Sequence, residues 1–182
     1  MNIYLIGYRC TGKTSAAGLA AESLGLQYAD TDSLIEQRAG MHISNYVSRY
    51  GWESFRDLEE EIISGLAART GLAAATGGGA VLREKNVIRM KETGLVIWLA
   101  ASAETILARM RGDHNTASMR PALTSDPLEQ EVRRTLEQRT PLYENACHMK
   151  IPTDDEGIEQ VCHALLEKIR SHDAWKHFRN PV

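Results

Sequence analysis

One eight-residue segment near the start of the chain restricts the fold more than any other: Gly7-Tyr8-Arg9-Cys10-Thr11-Gly12-Lys13-Thr14. It matches G-x-x-x-x-G-K-[ST] at every fixed position. An apolar run, 3–6, precedes it, and an Ala- and Leu-rich stretch, 13–24, follows it. Strand, tight loop and helix form the context in which this pattern carries chemical meaning. Glycines let the backbone curl until several N–H groups converge, at a helix N-terminus that favours anions. Such a loop holds phosphates. The candidate nucleotide-binding residues are therefore Cys10, Thr11, Gly12, Lys13, Thr14 and Ser15. Lys13 is expected to reach the terminal phosphates and the Thr14 hydroxyl to ligate Mg2+.

Further short apolar runs at 27–29, 72–75, 95–99 and 147–151 read as strands. Helical patterns are predicted over 33–39, 43–49, 54–69, 104–111, 127–138 and 158–169, with a polar loop at 112–119. Nearly continuous apolar strands alternating with helices predict an α/β fold, a parallel sheet covered on both faces. The 182 residues suit one domain, and no internal repeat or linker divides them. The tail 171–182 shows no clear periodicity.

A net charge of −3 argues against a general nucleic-acid binder, whose phosphate contacts need a basic face. Cys10, Cys147 and Cys162 are odd in number and widely spaced, which predicts free thiols in a reducing compartment. No signal-peptide pattern and no apolar stretch of roughly 20 residues is present, so a cytoplasmic protein without membrane partners is expected. The six histidines lack metal-ligand spacing.

A phosphate loop alone does not separate a kinase from a GTPase switch or an ATP-driven transporter. The guanine-reading Asn-Lys-x-Asp and the transporter signature Leu-Ser-Gly-Gly are both missing. Polar residues instead sit just past the predicted strand ends, where open α/β sheets place ligands. They are Asp30 and Asp32, then Gly77-Gly78-Gly79, with Arg120 ending the polar loop and Arg139 late in a helix. One of the two acids is expected to cap the following helix. Three successive glycines after a buried strand mark close approach of backbone to a ligand. Arg56, taken alone, reads as a solvated helix residue paired with Glu59.

In order and spacing, these motifs resemble the shikimate kinase family over roughly residues 1–170. The resemblance rests on the phosphate loop, Asp30-Thr31-Asp32, Phe55-Arg56 with Glu59, Gly77-Gly78-Gly79, Arg120-Pro121 and Arg139-x-Pro141-Leu142-Tyr143. It implies a nucleoside-monophosphate-kinase-like P-loop fold: three layers, a five-stranded parallel sheet, and a mobile lid near 111–124. The implied reaction is ATP-dependent phosphorylation of the shikimate 3-hydroxyl by a monomer. Lys13, Asp32 and Arg120 would be catalytic, with Asp32 as candidate base and Arg120 on the lid. Thr14 and Asp30 would hold Mg2+. Arg56, Arg139, Asp32 and Gly77 to Gly79 would bind the acceptor, and Arg109 would pack against adenine. Arginine's planar fork suits a carboxylate, which fits two arginines at the acceptor.

The sequence departs from the family pattern at Cys10, where glycine is usual, at Trp52, where glutamate is common, and at Ala122, where leucine is usual. Two other readings are phosphorylation of a different hydroxy acid such as gluconate, and a nucleotide-binding regulatory module without turnover. The paired arginines and triple glycine favour shikimate over the former. The presence of Lys13, Asp32, Arg120 and Arg139 together speaks against the latter.

Overall fold

The computed structural model describes residues 1–112, 127–154 and 156–179. Five strands form one sheet: β1 (Asn2–Ile6), β2 (Gln27–Asp30), β3 (Leu72–Ala75), β4 (Gly94–Ala100) and β5 (Met149–Pro152). Their spatial order is β2-β3-β1-β4-β5, and every pairing is parallel. β1 is central. Its Leu5 lies level with Ala75 of β3 on one side and Ile97 of β4 on the other. All five β1 residues are buried, as a parallel strand covered on both faces requires.

The period-two geometry of the strand divides those residues between two cores. Ile3 and Leu5 face α1 (Lys13–Leu24), where Ala16, Ala17, Ala20 and Ala21 bring the helix close to the sheet. Helix α7 (Ile158–Ser171) completes that layer through Val161, Leu165 and Ile169. Tyr4 and Ile6 face the opposite layer, built from α3 (Ile43–Ala67), α4 (Glu84–Thr93) and α6 (Leu128–Ala146). Helices α2 (Thr31–Ala39) and α5 (Ala103–Gly112) sit above the carboxyl ends of the strands that precede them. From β1 the chain travels to one edge of the sheet and then crosses back to β4. Ligands of open α/β sheets bind outside the carboxyl ends near such a reversal.

Several elements differ from expectation. Helix α4 was not predicted, because Glu84–Thr93 is mostly polar and buries only Asn86 and Met90. The predicted helices 43–49 and 54–69 form one helical segment, α3, broken at Gly51, whose φ of 82° is the left-handed region glycine tolerates. Helix α6 continues through Pro141 to Ala146 rather than stopping at 138. Proline removes one helical N–H, but the burial of Tyr143 and Ala146 beyond it holds the helix together. Arg120 and residues 113–124 of the predicted lid lie outside the described residues. Among the described residues no helix is long and apolar enough to cross a membrane, and all three cysteines are free thiols.

The tail reading is also revised. Residues Asp173–Arg179 form a short helix, α8, whose Trp175 is buried in the α1/α7 core beside the partly buried Phe178. A single aromatic anchor gives no periodicity to read. Trp175→Ala should therefore lower unfolding stability by about 3 kcal/mol, the usual scale for emptying a buried aromatic site. Urea denaturation measures this, and an unchanged midpoint would mean that the Trp175 side chain adds nothing to the core.

Candidate active site

The phosphate loop leaves β1 at Gly7 and enters α1 at Lys13. Gly12 caps α1 with φ 87°, and its carbonyl accepts from the Ala16 N–H. The Lys13 ammonium donates to the Tyr8 carbonyl at 2.6 Å, and the Thr11 hydroxyl donates to the same oxygen at 2.9 Å. Cys10 is the non-glycine residue held at positive φ, 61°, in the described chain. A β-carbon in that region costs roughly 1–2 kcal/mol, which accounts for the usual glycine there. The loop holds it nonetheless, in part through the Cys10 carbonyl, which accepts from Arg109 at 3.2 Å. Arg109 also donates to the Thr153 hydroxyl and carbonyl, tying α5 to the residue after β5.

Asp30 has two tasks that its two oxygens divide. Oδ1 caps α2, accepting from the N–H groups of Asp32 at 3.0 Å and Ser33 at 3.2 Å. Oδ2 accepts from the Thr14 hydroxyl at 3.0 Å. The Tyr28 hydroxyl also points at Oδ2, and burial together with that neighbouring carboxylate pushes the phenol up to about 12. Capping by one of the two acids is as predicted, and the capping acid is also the one beside Thr14. A hydroxyl and an oriented carboxylate, both exposed on one side, are hard oxygen donors of the kind Mg2+ accepts. Among the described residues no cluster of three His, Cys, Asp or Glu side chains forms a metal cage. Mg2+ bound with nucleotide takes most of its ligands from phosphates and water, so the pair fits that ion.

Beside the loop lies an open pocket at the carboxyl end of the sheet. Asp32, Arg56, Gly77, Gly78, Gly79 and Arg139, all singled out from the sequence, line it together. Arg56, which taken alone reads as a solvated helix residue, is 8% exposed and Glu59 0%, at the acceptor-side place that the resemblance implies. Their ion pair, 2.6 Å, is buried on the pocket face of α3 together with Phe55, beside the partly buried Trp52. The spacing 52, 55, 56, 59 is one helical face, a signal that could have marked the pair as inward.

The triple glycine makes room for these charges. A β-carbon on Gly77 would come within 2.7 Å of Glu59 Oε1 and 2.8 Å of Asp32 Oδ1, and one on Gly79 would overlap the Arg56 guanidinium. Real β-carbons do not approach other atoms so closely. The Gly78 carbonyl accepts from Arg139 at 3.1 Å and from the Tyr143 hydroxyl at 2.5 Å, which fixes α6 to the glycine turn. The pocket includes residues the sequence reading did not assign, among them Tyr8, Arg9 and Trp52. Neither Tyr8 nor Arg9 has a fixed place in the loop motif, so nothing in the pattern marks them.

The pocket lies between a phosphate loop and a pair of arginines, on the fold that the resemblance implies. The sequence profile described as Shikimate kinase matches residues 9–170. The chain belongs to the shikimate kinase family. A shikimate kinase of Symbiobacterium thermophilum is 40% identical over 93% of this chain and 97% of its own. One from Thermodesulfovibrio yellowstonii is 38% identical over 92% and 94%. The solved shikimate kinase of Acinetobacter baumannii in complex with shikimate superposes with a TM-score of 0.88 at 32% identity, covering 94% of each chain. Family membership thus agrees with the α/β fold and with the motif series across nearly the whole chain.

Glu59 sets a pH dependence. Burial, the largest effect, pushes its carboxyl from 4.5 up to about 6. Arg56 opposes the shift, Asp32 reinforces it, and Arg139 opposes it more weakly. A carboxyl whose folded pKa is raised binds its proton more tightly in the native state. Its contribution to stability is therefore largest below 4.5 and is lost as pH rises through about 6. The loss is on the order of 2 kcal/mol, at 1.36 kcal/mol per unit. Unfolding free energies measured from pH 4.5 to 7 should show this component in the parent and not in Glu59→Gln. Parallel curves for the two proteins would remove Glu59 as the source.

Proposed function

We propose that this shikimate kinase family member transfers the γ-phosphoryl group of ATP to the 3-hydroxyl of shikimate. The products are 3-phosphoshikimate and ADP, and the reaction serves aromatic amino acid biosynthesis. The observation that carries this reading is the convergence of Asp32, Arg56 and Arg139 in one pocket against the phosphate loop. An acceptor that satisfies them must bring both a carboxylate and hydroxyls.

Arg56 and Arg139 would hold the carboxylate, with the former aligned by Glu59. Gly77 to Gly79 would let the acceptor ring approach the backbone. Asp32 would orient the hydroxyl and take its proton as the new O–P bond forms and the bond from the γ-phosphorus to the β-phosphate oxygen breaks. Lys13, with the loop amides, would follow the charge that builds on the transferred group and on departing ADP. Thr14 and Asp30 would hold Mg2+, which neutralises phosphate charge when bound with the nucleotide. Cys10, Thr11, Gly12 and Ser15 would complete the nucleotide cradle, and Arg109 would flank adenine from its place beside Cys10 and Thr153. Arg120, outside the described residues, would belong to the lid that closes over the phosphates. Residues 1–170 would be the kinase domain, supported by the α8 tail. Three free thiols support a reducing, cytoplasmic setting.

A coupled ADP-release assay tests the reading across shikimate, quinate, gluconate and nucleoside monophosphates. Turnover is expected with shikimate and negligible with gluconate or AMP; the reverse pattern would refute the assignment. In the same assay Asp32→Asn should reduce kcat by roughly 10²–10⁴-fold, the scale of a positioned proton acceptor, with nucleotide affinity little changed. A loss under about tenfold would take Asp32 out of that role.

A further inference from the structure

The phosphate loop carries a second cation besides Lys13. Arg9 lies two residues after Gly7, and its side chain lines the acceptor pocket together with Asp32 and Gly78. The loop touches the glycine turn here, since a β-carbon on Gly78 would sit 3.5 Å from the Arg9 nitrogen. Arg9 is 9% exposed, and its guanidinium pairs with Glu131, 2% exposed, in the first turn of α6. The Arg9 Nε and the neighbouring Tyr8 hydroxyl are both buried with no hydrogen bond of normal geometry among the described residues. A buried donor left unmet is unfavourable, so a site that keeps one is a site with an acceptor to receive.

Among the described residues, the two other cations that line the pocket already have partners that fix their direction. Arg56 is bound to Glu59, and Arg139 donates to the Gly78 carbonyl. The phosphoryl group begins on the loop and ends on the acceptor, where it is a dianion. Neither carboxylate-binding arginine is free to follow it.

We propose that Arg9 is the residue that grips the phosphoryl group on the acceptor side as it arrives on the substrate hydroxyl, and that Glu131 is its positioning residue. The Arg9 fork donates to oxygens whose charge grows during transfer, from a position fixed beforehand by the ion pair. Glu131 balances the guanidinium until the phosphoryl group arrives. It also belongs to the helix that carries Arg139, so one rigid element sets both the carboxylate clamp and the phosphoryl grip. The inference rests on the shikimate kinase reading and extends it to how the product is held.

A purely structural pair would give the same geometry, so the test removes the pair while preserving packing. Breaking one partner alone would leave a buried charge, whereas replacing both by apolar groups of similar volume is often neutral for stability. Arg9→Met/Glu131→Met is therefore compared with the parent by thermal melting, steady-state kinetics and calorimetric titration with shikimate and, separately, 3-phosphoshikimate. The double variant should melt near the parent and bind shikimate within about threefold, while 3-phosphoshikimate binding weakens about tenfold or more and kcat falls roughly 10²-fold. Recovery of kcat to within about threefold of the parent, or equal weakening for both ligands, would overturn the proposal. Arg9→Lys keeps the ion pair but lacks Nε, and it decides the question on the same two readouts should the double variant fail to fold. If the parent itself does not turn over shikimate, the functional assignment fails instead, and the two failures are distinguishable.

Discussion

Two buried ion pairs, Arg56 with Glu59 and Arg9 with Glu131, stand at the carboxyl end of a sheet whose central strand is fully enclosed. Charges in such a place persist only when met by opposite charge or by oriented dipoles, because desolvating an unpaired ion costs several kcal/mol, a large share of a domain's stability. Partnership therefore dictates where the neighbouring elements run. Helix α3 must present one face with both Arg56 and Glu59 inward, and α6 must bring its first turn to the phosphate loop. The pocket sets buried charges among largely apolar walls, and that combination suits it to hold a small anion.

The glycine turn after β3 is the geometric counterpart of that electrostatics. Asp32, Glu59 and the Arg56 guanidinium all crowd the space where side chains at 77 and 79 would project. The absence of β-carbons brings two acids and an arginine over one stretch of backbone, and α6 closes the far side through Arg139 and Tyr143 on the Gly78 carbonyl. Asp30 works in the same economical way, capping α2 with one oxygen and reaching Thr14 with the other. Sequence-close residues thus separate into neighbouring roles, Asp30 facing the phosphate loop and Asp32 facing the pocket.

Cys10 shows what the family fold tolerates. A side chain held at φ 61° is strained, and the loop retains it because the surrounding backbone is fixed by Lys13, Thr11 and Arg109. The departure lies in the backbone conformation rather than among the side chains that line the acceptor pocket. It leaves the arrangement of Asp32, Arg56 and Arg139 intact.

The sequence by itself determined the α/β class, the five strands and the phosphate loop, because continuous apolar runs and fixed glycines are local signals. It also singled out polar residues near strand ends that the structure gathers around one pocket, since a parallel sheet brings its loops together at one edge. Helices α4 and α8 were illegible because so few of their residues are buried, two in the first and a lone tryptophan in the second. The end of α6 was misread because Pro141 is a local stop signal that distant packing of Tyr143 overrides. Only the tertiary structure decided that Arg56 is inside and that Arg9 meets Glu131 across 122 positions of chain. A helix face records its spacing but not its neighbour, and a buried charge is recognisable only once its partner is in place.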